Sequence, residues 1–220
     1  MATAVEPLLH KVVFIGGGAV DFLVNDPAAF GTRITKDVDV ITEISTIAEY
    51  YSLIDELRQL GFKEYIPMDD EKSPICRLKY SDMILDVMPT DESILGFANK
   101  WSQSALENAK SIDIGENLRI NIITPAYFIA TKLEAFRRRG NSDYFCHDME
   151  DIITVYNGNT DIVAEIQNSA PDVKTFIQSE FKALLADRRY EIDGIAGHLA
   201  GIGDPGRAKL VHKRILDSIA

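Results

Sequence analysis

Thr35-Lys36-Asp37-Val38-Asp39-Val40-Ile41 is the stretch that decides the fold. Acid and apolar residues alternate with the period of a strand, so 38–42 is read as β, with Asp37 and Asp39 on one face and Val38 and Val40 packing beneath. Two carboxylates then converge on one point. A hard divalent cation prefers oxygen ligands and keeps substrate phosphate in its shell, so the pair suits nucleotide chemistry better than burial.

Upstream, Phe14-Ile15-Gly16-Gly17-Gly18-Ala19-Val20 closes a first strand, 12–15, with a glycine run. Without Cβ these residues let the backbone take unusual dihedrals and let a phosphate approach main-chain N–H groups. The following residues read as a short helix ended by Pro27, its N-terminus turned toward an anion. The plainer reading of the three glycines is a tight strand-to-helix turn.

Downstream, 45–60 reads as a helix, with Ser45 as its cap and Gly61 as its stop. A strand at 62–66 and a polar loop through Met68 to Pro74 come next. Two strands, 75–80 and 83–88, are joined by Ser81-Asp82, short enough for a hairpin. Residues 118–123 alternate as a last strand. Thr124-Pro125 is a strong helix start, followed by apolar residues at helical spacing to Phe136 and a stop at Gly140. From there helices are expected at 148–156 with Gly158 as the stop, 161–168, 171–188 and 206–219. The fold class is α+β, with a mixed-sheet core over 1–123 and a helical domain over 124–220.

In Met83-Ile84-Leu85-Asp86-Val87-Met88-Pro89, Asp86 interrupts an apolar strand. A lone charge there is costly unless it meets a partner or a cation. If this strand lies beside the one bearing Asp37 and Asp39, three carboxylates can hold two cations. The plainer alternative is an edge strand with one wet face.

Composition excludes several classes. Hydrophobic residues make up 46% of the 220 and charged residues 26%, ordinary for a globular protein. No apolar run approaches the roughly 18 residues of a membrane span, and the N-terminus lacks a secretory pattern, so a cytoplasmic protein without membrane contact is expected. Cys76 and Cys146 lie far apart with no ligand spacing around them, which indicates neither zinc nor a disulfide framework. The net charge of −11, from 23 basic and 34 acidic side chains, argues against duplex DNA as a partner. Basic clusters at Arg137-Arg138-Arg139, Arg188-Arg189 and along Arg207 to Arg214 leave room for a small basic face, or for solvated helix surfaces.

A glycine pair opening a helix, Asp-x-Asp on a strand and a single Asp on a neighbouring strand resemble the DNA polymerase β-like nucleotidyltransferase superfamily. Gly17-Gly18-Ala19, Arg33-x-Thr35-x-Asp37-x-Asp39, Lys132-x-x-Ala135-x-x-x-Arg139-Gly140 and Asp148-x-x-Asp151 are together similar to the AbiEii group of abortive-infection and toxin–antitoxin nucleotidyltransferases. The resemblance runs from about residue 14 to 155.

It implies a polymerase β-like core and transfer of a nucleoside monophosphate from an NTP, with release of pyrophosphate. The acceptor would be RNA, such as a tRNA 3′ end, or a protein, and a cognate antitoxin is implied as partner. The implied cofactor is Mg2+, two ions, with Mn2+ able to replace it. Asp37, Asp39 and Asp86 would be the metal-binding and catalytic carboxylates, Asp86 also the general base. Gly17, Gly18, Arg33, Lys132, Arg139, Asp148 and Asp151 would contact the nucleotide, the helical domain completing its site. The chain departs from the pattern in the long interval from Gly18 to Asp37, where Phe30-Gly31-Thr32 suggests an inserted turn. Two other readings stand beside this one. A non-catalytic nucleotidyltransferase-like scaffold would bind nucleotide or a protein without transfer. A dinucleotide-binding fold built on Gly16-x-Gly18 fails where its third glycine falls on Asp21.

Overall fold

A computed structural model describes residues 1–29, 35–66, 74–115, 117–139, 143–202 and 204–220. The chain forms two compact units, one of Met1–Ala19 with Arg33–Thr124 and one of Val20–Thr32 with Pro125–Ala220. Arg33, the turn at 30–32, most of the loop at 68–74 and Gly140 lie outside the described residues.

In chain order the strands are β1 (Val13–Ile15), β2 (Asp37–Thr42), β3 (Lys63–Glu64), β4 (Arg77–Tyr80), β5 (Met83–Pro89), β6 (Lys110–Asp113) and β7 (Arg119–Ile122). The α-helices are α1 (Val20–Leu23), α2 (Ile47–Gln59), α3 (Glu92–Leu95), α4 (Ser102–Glu107), α5 (Pro125–Arg138), α6 (His147–Gly158), α7 (Ile162–Gln167), α8 (Pro171–Leu185), α9 (Gly197–Leu199) and α10 (Pro205–Ser218). Among the described residues no helix is long and apolar enough to cross a membrane.

All strands belong to the first unit and form one mixed sheet in the order β3-β4-β5-β2-β1-β7-β6. The α+β class with a mixed sheet is therefore observed. β2 is central, antiparallel to β1 and parallel to β5. Its apolar side, with Val40, Leu85 and Val87, joins Tyr50, Leu53, Ile54 and Leu57 of α2 in one buried cluster. Thr46, not Ser45, caps α2: its hydroxyl accepts from the Glu49 N–H while the Glu49 carboxylate takes the Thr46 N–H. Glu49 stands three residues after Thr46, which is the spacing a capping box needs.

The expected strand at 62–66 shrinks to Lys63–Glu64, and Ile66 is exposed. β6 and a 3-10 helix, Ala2–Lys11, have no counterpart in the sequence reading. β6 is an edge strand with one apolar residue, Ile112, so no periodicity marks it. The N-terminal helix contains Pro7, which reads as a break, yet Val5, Leu8 and Leu9 are buried.

In the second unit the described elements are all helical. Residues 20–29 pack within this unit. The Asn25 and Asp26 N–H groups donate to the Gly158 carbonyl at 2.9 and 2.8 Å, and Asn159 Nδ2 donates to the Leu23 carbonyl at 2.8 Å. Arg207 locks the junction, donating to Asn157 Oδ1 and carbonyl oxygen at 2.6 Å each and to Asp26 Oδ2 at 2.9 Å. Gly158 ends α6 but also does more than stop a helix: a Cβ there would stand 2.5 Å from Val24 Cγ1. The absence of a side chain lets segment 20–26 pack against the helix end.

Candidate active site

β1 delivers the chain to the edge of a carboxylate face. Its register pairs Ile15 with Asp39, and the next residue, Gly16, turns with φ +66°. A Cβ on Gly16 would stand 2.0 Å from Asp39 Oδ2, so the Asp39 carboxylate fills the space a side chain would need. Both facts demand glycine at 16. At Gly18 a Cβ would meet the Asp37 carbonyl at 3.6 Å, an ordinary contact. The strict steric need therefore lies one residue before the expected pair Gly17 and Gly18. The helix expected to run on to Pro27 is a 3-10 turn, Gly17–Ala19, followed by the four residues of α1. So short a piece sums few peptide dipoles, which removes the helix-terminus argument for an anion.

The β2–β5 register sets Asp39 directly across from Asp86, and Asp37 across from Ile84. Strand alternation puts all three carboxylates on the face opposite Val38, Val40, Leu85 and Val87. Asp37 is exposed, Asp39 half-buried and Asp86 8% exposed. β4 adds a cation, since its register places Arg77 opposite Asp86. Arg77 Nε reaches Asp86 Oδ1 at 2.9 Å and Nη2 reaches Oδ2 at 2.7 Å, a two-pronged pair. That bond raises the guanidinium pKa, and the group also lies over the Tyr65 ring, 5.8 Å from its centroid.

Cys76, beside Arg77 in sequence, is buried, and burial with the nearby Asp86 charge pushes its thiol up to about 12. It stays protonated at neutral pH and supplies no nucleophile.

Among the described residues no three His, Cys, Asp or Glu side chains stand together as a ready cation cage. The three carboxylates on this face are the oxygen donors that Mg2+ or Mn2+ would take, but both oxygens of Asp86 are bound by Arg77. A cleft of ≈ 590 Å³ opens at the other end of β2, lined among others by Lys11, Thr42, Glu49 and Glu56. In it Lys11 pairs with Glu56 at 2.7 Å, and Glu49 accepts from the N–H groups of Ser45 and Thr46. It lies away from the carboxylates.

The second unit holds its own charge cluster. Lys132 on α5 reaches Asp148 Oδ1 at 3.3 Å and Asp151 Oδ2 at 2.6 Å, both on α6. Arg139 pairs with the other oxygen of Asp148. The three-residue spacing of the acids turns both toward Lys132. Two cations and two carboxylates balance, and both carboxylates are buried. The neighbouring basic run is likewise paired: Arg137 with Glu134 at 2.9 Å and Glu180 at 3.4 Å, Arg138 with Glu134 at 3.0 Å. Arg189 pairs with Asp187, Arg207 with Asp26 and Lys213 with Asp217. These partners offset the positive charge that a basic nucleic-acid face would need.

No protein-family model matches the sequence, and no curated protein matches it. Among solved structures it is similar to an antigenic nucleotidyltransferase-like protein from Paracoccidioides brasiliensis, at 16% identity and a TM-score of 0.49, over 87% of this chain and 90% of that one. The chemistry of the site rests on its side chains.

Two residues of the carboxylate face stand outside the expected site residues: Gly16, read only as one of a glycine run, and Arg77. Arg77 carries a usable signal: counting back from the two-residue turn Ser81-Asp82 pairs Tyr80 with Met83 and so Arg77 with Asp86. Gly16 is hidden because three adjacent glycines look alike until the backbone is seen.

Proposed function

We propose that the protein is a nucleotidyltransferase that moves a nucleoside monophosphate from an NTP to an acceptor hydroxyl. The observation that carries the reading is the direct opposition of Asp39 and Asp86 on parallel central strands, with Asp37 on the same face and Gly16 closed against Asp39. In the transfer, the acceptor oxygen bonds to the α-phosphorus, the bond from that phosphorus to pyrophosphate breaks, and the hydroxyl proton leaves to Asp86 or to solvent. Asp37 and Asp39 are the residues that would hold Mg2+, with Asp86 as the third ligand. When bound, the ion would neutralise triphosphate charge and favour the acceptor oxyanion. The protein's own part is positioning and charge placement, which carry most of the rate in phosphoryl chemistry.

Lys132, Arg139, Asp148 and Asp151 are proposed as nucleotide contacts on the strength of the motif resemblance, as are Gly17, Gly18 and Arg33. The toxin role, a cognate antitoxin and an RNA acceptor rest on that resemblance alone. With Arg137, Arg138, Arg189, Arg207 and Lys213 paired to carboxylates, a protein acceptor stands on an equal footing with RNA.

The test is incubation of the full chain with each labelled NTP, Mg2+, and either tRNA or total cell protein. Label should pass to an acceptor and vanish in Asp39→Ala; no transfer to any acceptor, or transfer that survives the substitution, sinks the proposal.

The non-catalytic scaffold has one observation in its favour. Arg77 satisfies Asp86, and Lys132 is held between Asp148 and Asp151, so these charges are compensated without metal or nucleotide. Calorimetry that detected NTP binding alongside a persistent lack of turnover would favour it.

A further inference from the structure

We propose that Arg77 is a resident counter-cation of Asp86 on the carboxylate face, so that a divalent cation must compete with its guanidinium for that carboxylate. This rests on the metal-binding reading of Asp37, Asp39 and Asp86 given above.

The argument begins with charge. Three carboxylates on one face of adjacent strands repel one another, and the repulsion is strongest where they are least solvated. Asp86 is the buried one, and burial of an ionised carboxylate needs a partner that uses its lone pairs. Arg77 does so with two N–H groups on two oxygens, and its side chain is itself three-quarters withdrawn from solvent. Its planar fork is fixed further by the Tyr65 ring.

A carboxylate bound at both oxygens keeps little lone-pair capacity for a cation. Asp86 therefore joins an incoming ion only as the guanidinium yields. A positive charge kept next to the site also lowers its attraction for a second cation. Arg77 is thus a positioning residue acting through Asp86, and its removal should strengthen metal binding while disturbing transfer. A merely structural ion pair would not produce that combination.

The experiment measures Mn2+ binding to the full chain without nucleotide, from the electron paramagnetic resonance signal of free Mn2+. Circular dichroism first checks that each variant is folded. Arg77→Gln should bind Mn2+ at least about tenfold more tightly than the parent, the direction set by removing one positive charge beside the site. Arg77→Lys keeps a charge but loses the fork, and should tighten binding by a smaller factor. Arg77→Gln with Asp86→Asn removes ligand and counter-cation together and should return affinity to within a few-fold of the parent.

Equal or weaker binding by Arg77→Gln, or a gain that persists in the double variant, overturns the proposal. If Arg77→Gln loses its fold, Arg77→Lys carries the decision, and binding no tighter than the parent's overturns it. Failure of the underlying reading looks different: neither the parent nor any variant would bind Mn2+ saturably.

Discussion

Gly16 and Asp39 approach so closely that a β-carbon on residue 16 would stand 2.0 Å from Asp39 Oδ2. The carboxylate that the account makes central is therefore positioned by the absence of a side chain on the neighbouring strand end. Gly16→Ala should cost about 1–3 kcal/mol of stability, from the positive φ and the overlap together. It should also lower transfer by roughly a hundredfold by displacing Asp39. Gly18→Ala meets only ordinary contacts and should stay within about 0.5 kcal/mol of the parent. Urea unfolding of the two variants checks the contrast in stability; similar losses of stability at both positions would refute it.

Lys132 stands between two buried carboxylates. Lys132→Met should destabilise the second unit by about 3–5 kcal/mol, because buried Asp151 loses its lysine and Asp148 is left to Arg139. The triple replacement with Asp148→Asn and Asp151→Asn should recover most of that loss. Denaturant midpoints decide it, and a Lys132→Met protein as stable as the parent would show that the cluster is not coupled in this way.

Tyr190 is fully buried, and its hydroxyl has no hydrogen-bond partner among the described residues. A buried unpaired hydroxyl destabilises. Tyr190→Phe should therefore be neutral or stabilising by up to about 1 kcal/mol, whereas Tyr190→Ala should cost about 3–5 kcal/mol. A large loss for Tyr190→Phe in thermal or urea unfolding would mean that the hydroxyl is satisfied in solution.

Asp187 gives a pH dependence. The Arg189 side chain, then the Arg189 N–H, holds its carboxyl down to about 2 from 3.8, with the Tyr144 hydroxyl also donating to it. The depressed value means that the unfolded chain takes up the proton first as pH falls. Its contribution to stability is full above about 4 and is lost as pH descends toward 2. Asp187→Asn should flatten the stability profile in that window and leave the slope above pH 5 unchanged. Titration of the Asp187 carboxyl by NMR with a midpoint near 4 would contradict this.

What was legible in the sequence follows the range of the interactions. Asp37 and Asp39, alternating with Val38 and Val40, declare a strand locally, and Ser81-Asp82 fixes a hairpin whose register can be counted residue by residue. Gly158 and Arg207 were not legible in their packing roles, because what they meet lies more than a hundred residues earlier, at Val24 and Asp26. β6 pairs through its backbone with scarcely any apolar residues, and Ala2–Lys11 is helical despite Pro7, so pattern and propensity both pointed elsewhere. In the candidate site the carboxylates were readable as residue types at strand spacing. The cation that holds Asp86 belongs to no motif, and only the count back from the Ser81-Asp82 turn reaches Arg77.

The central claim is that the α-phosphorus of an NTP is the atom attacked. Parallel reactions with NTP labelled at the α- or the γ-phosphorus, in Mg2+ with tRNA or total cell protein, test it most directly. The account predicts that α-label is retained on the acceptor while γ-label leaves as pyrophosphate, both lost in Asp39→Ala. Retention of γ-label on the acceptor, release of inorganic phosphate instead of pyrophosphate, or no transfer of either label would contradict it.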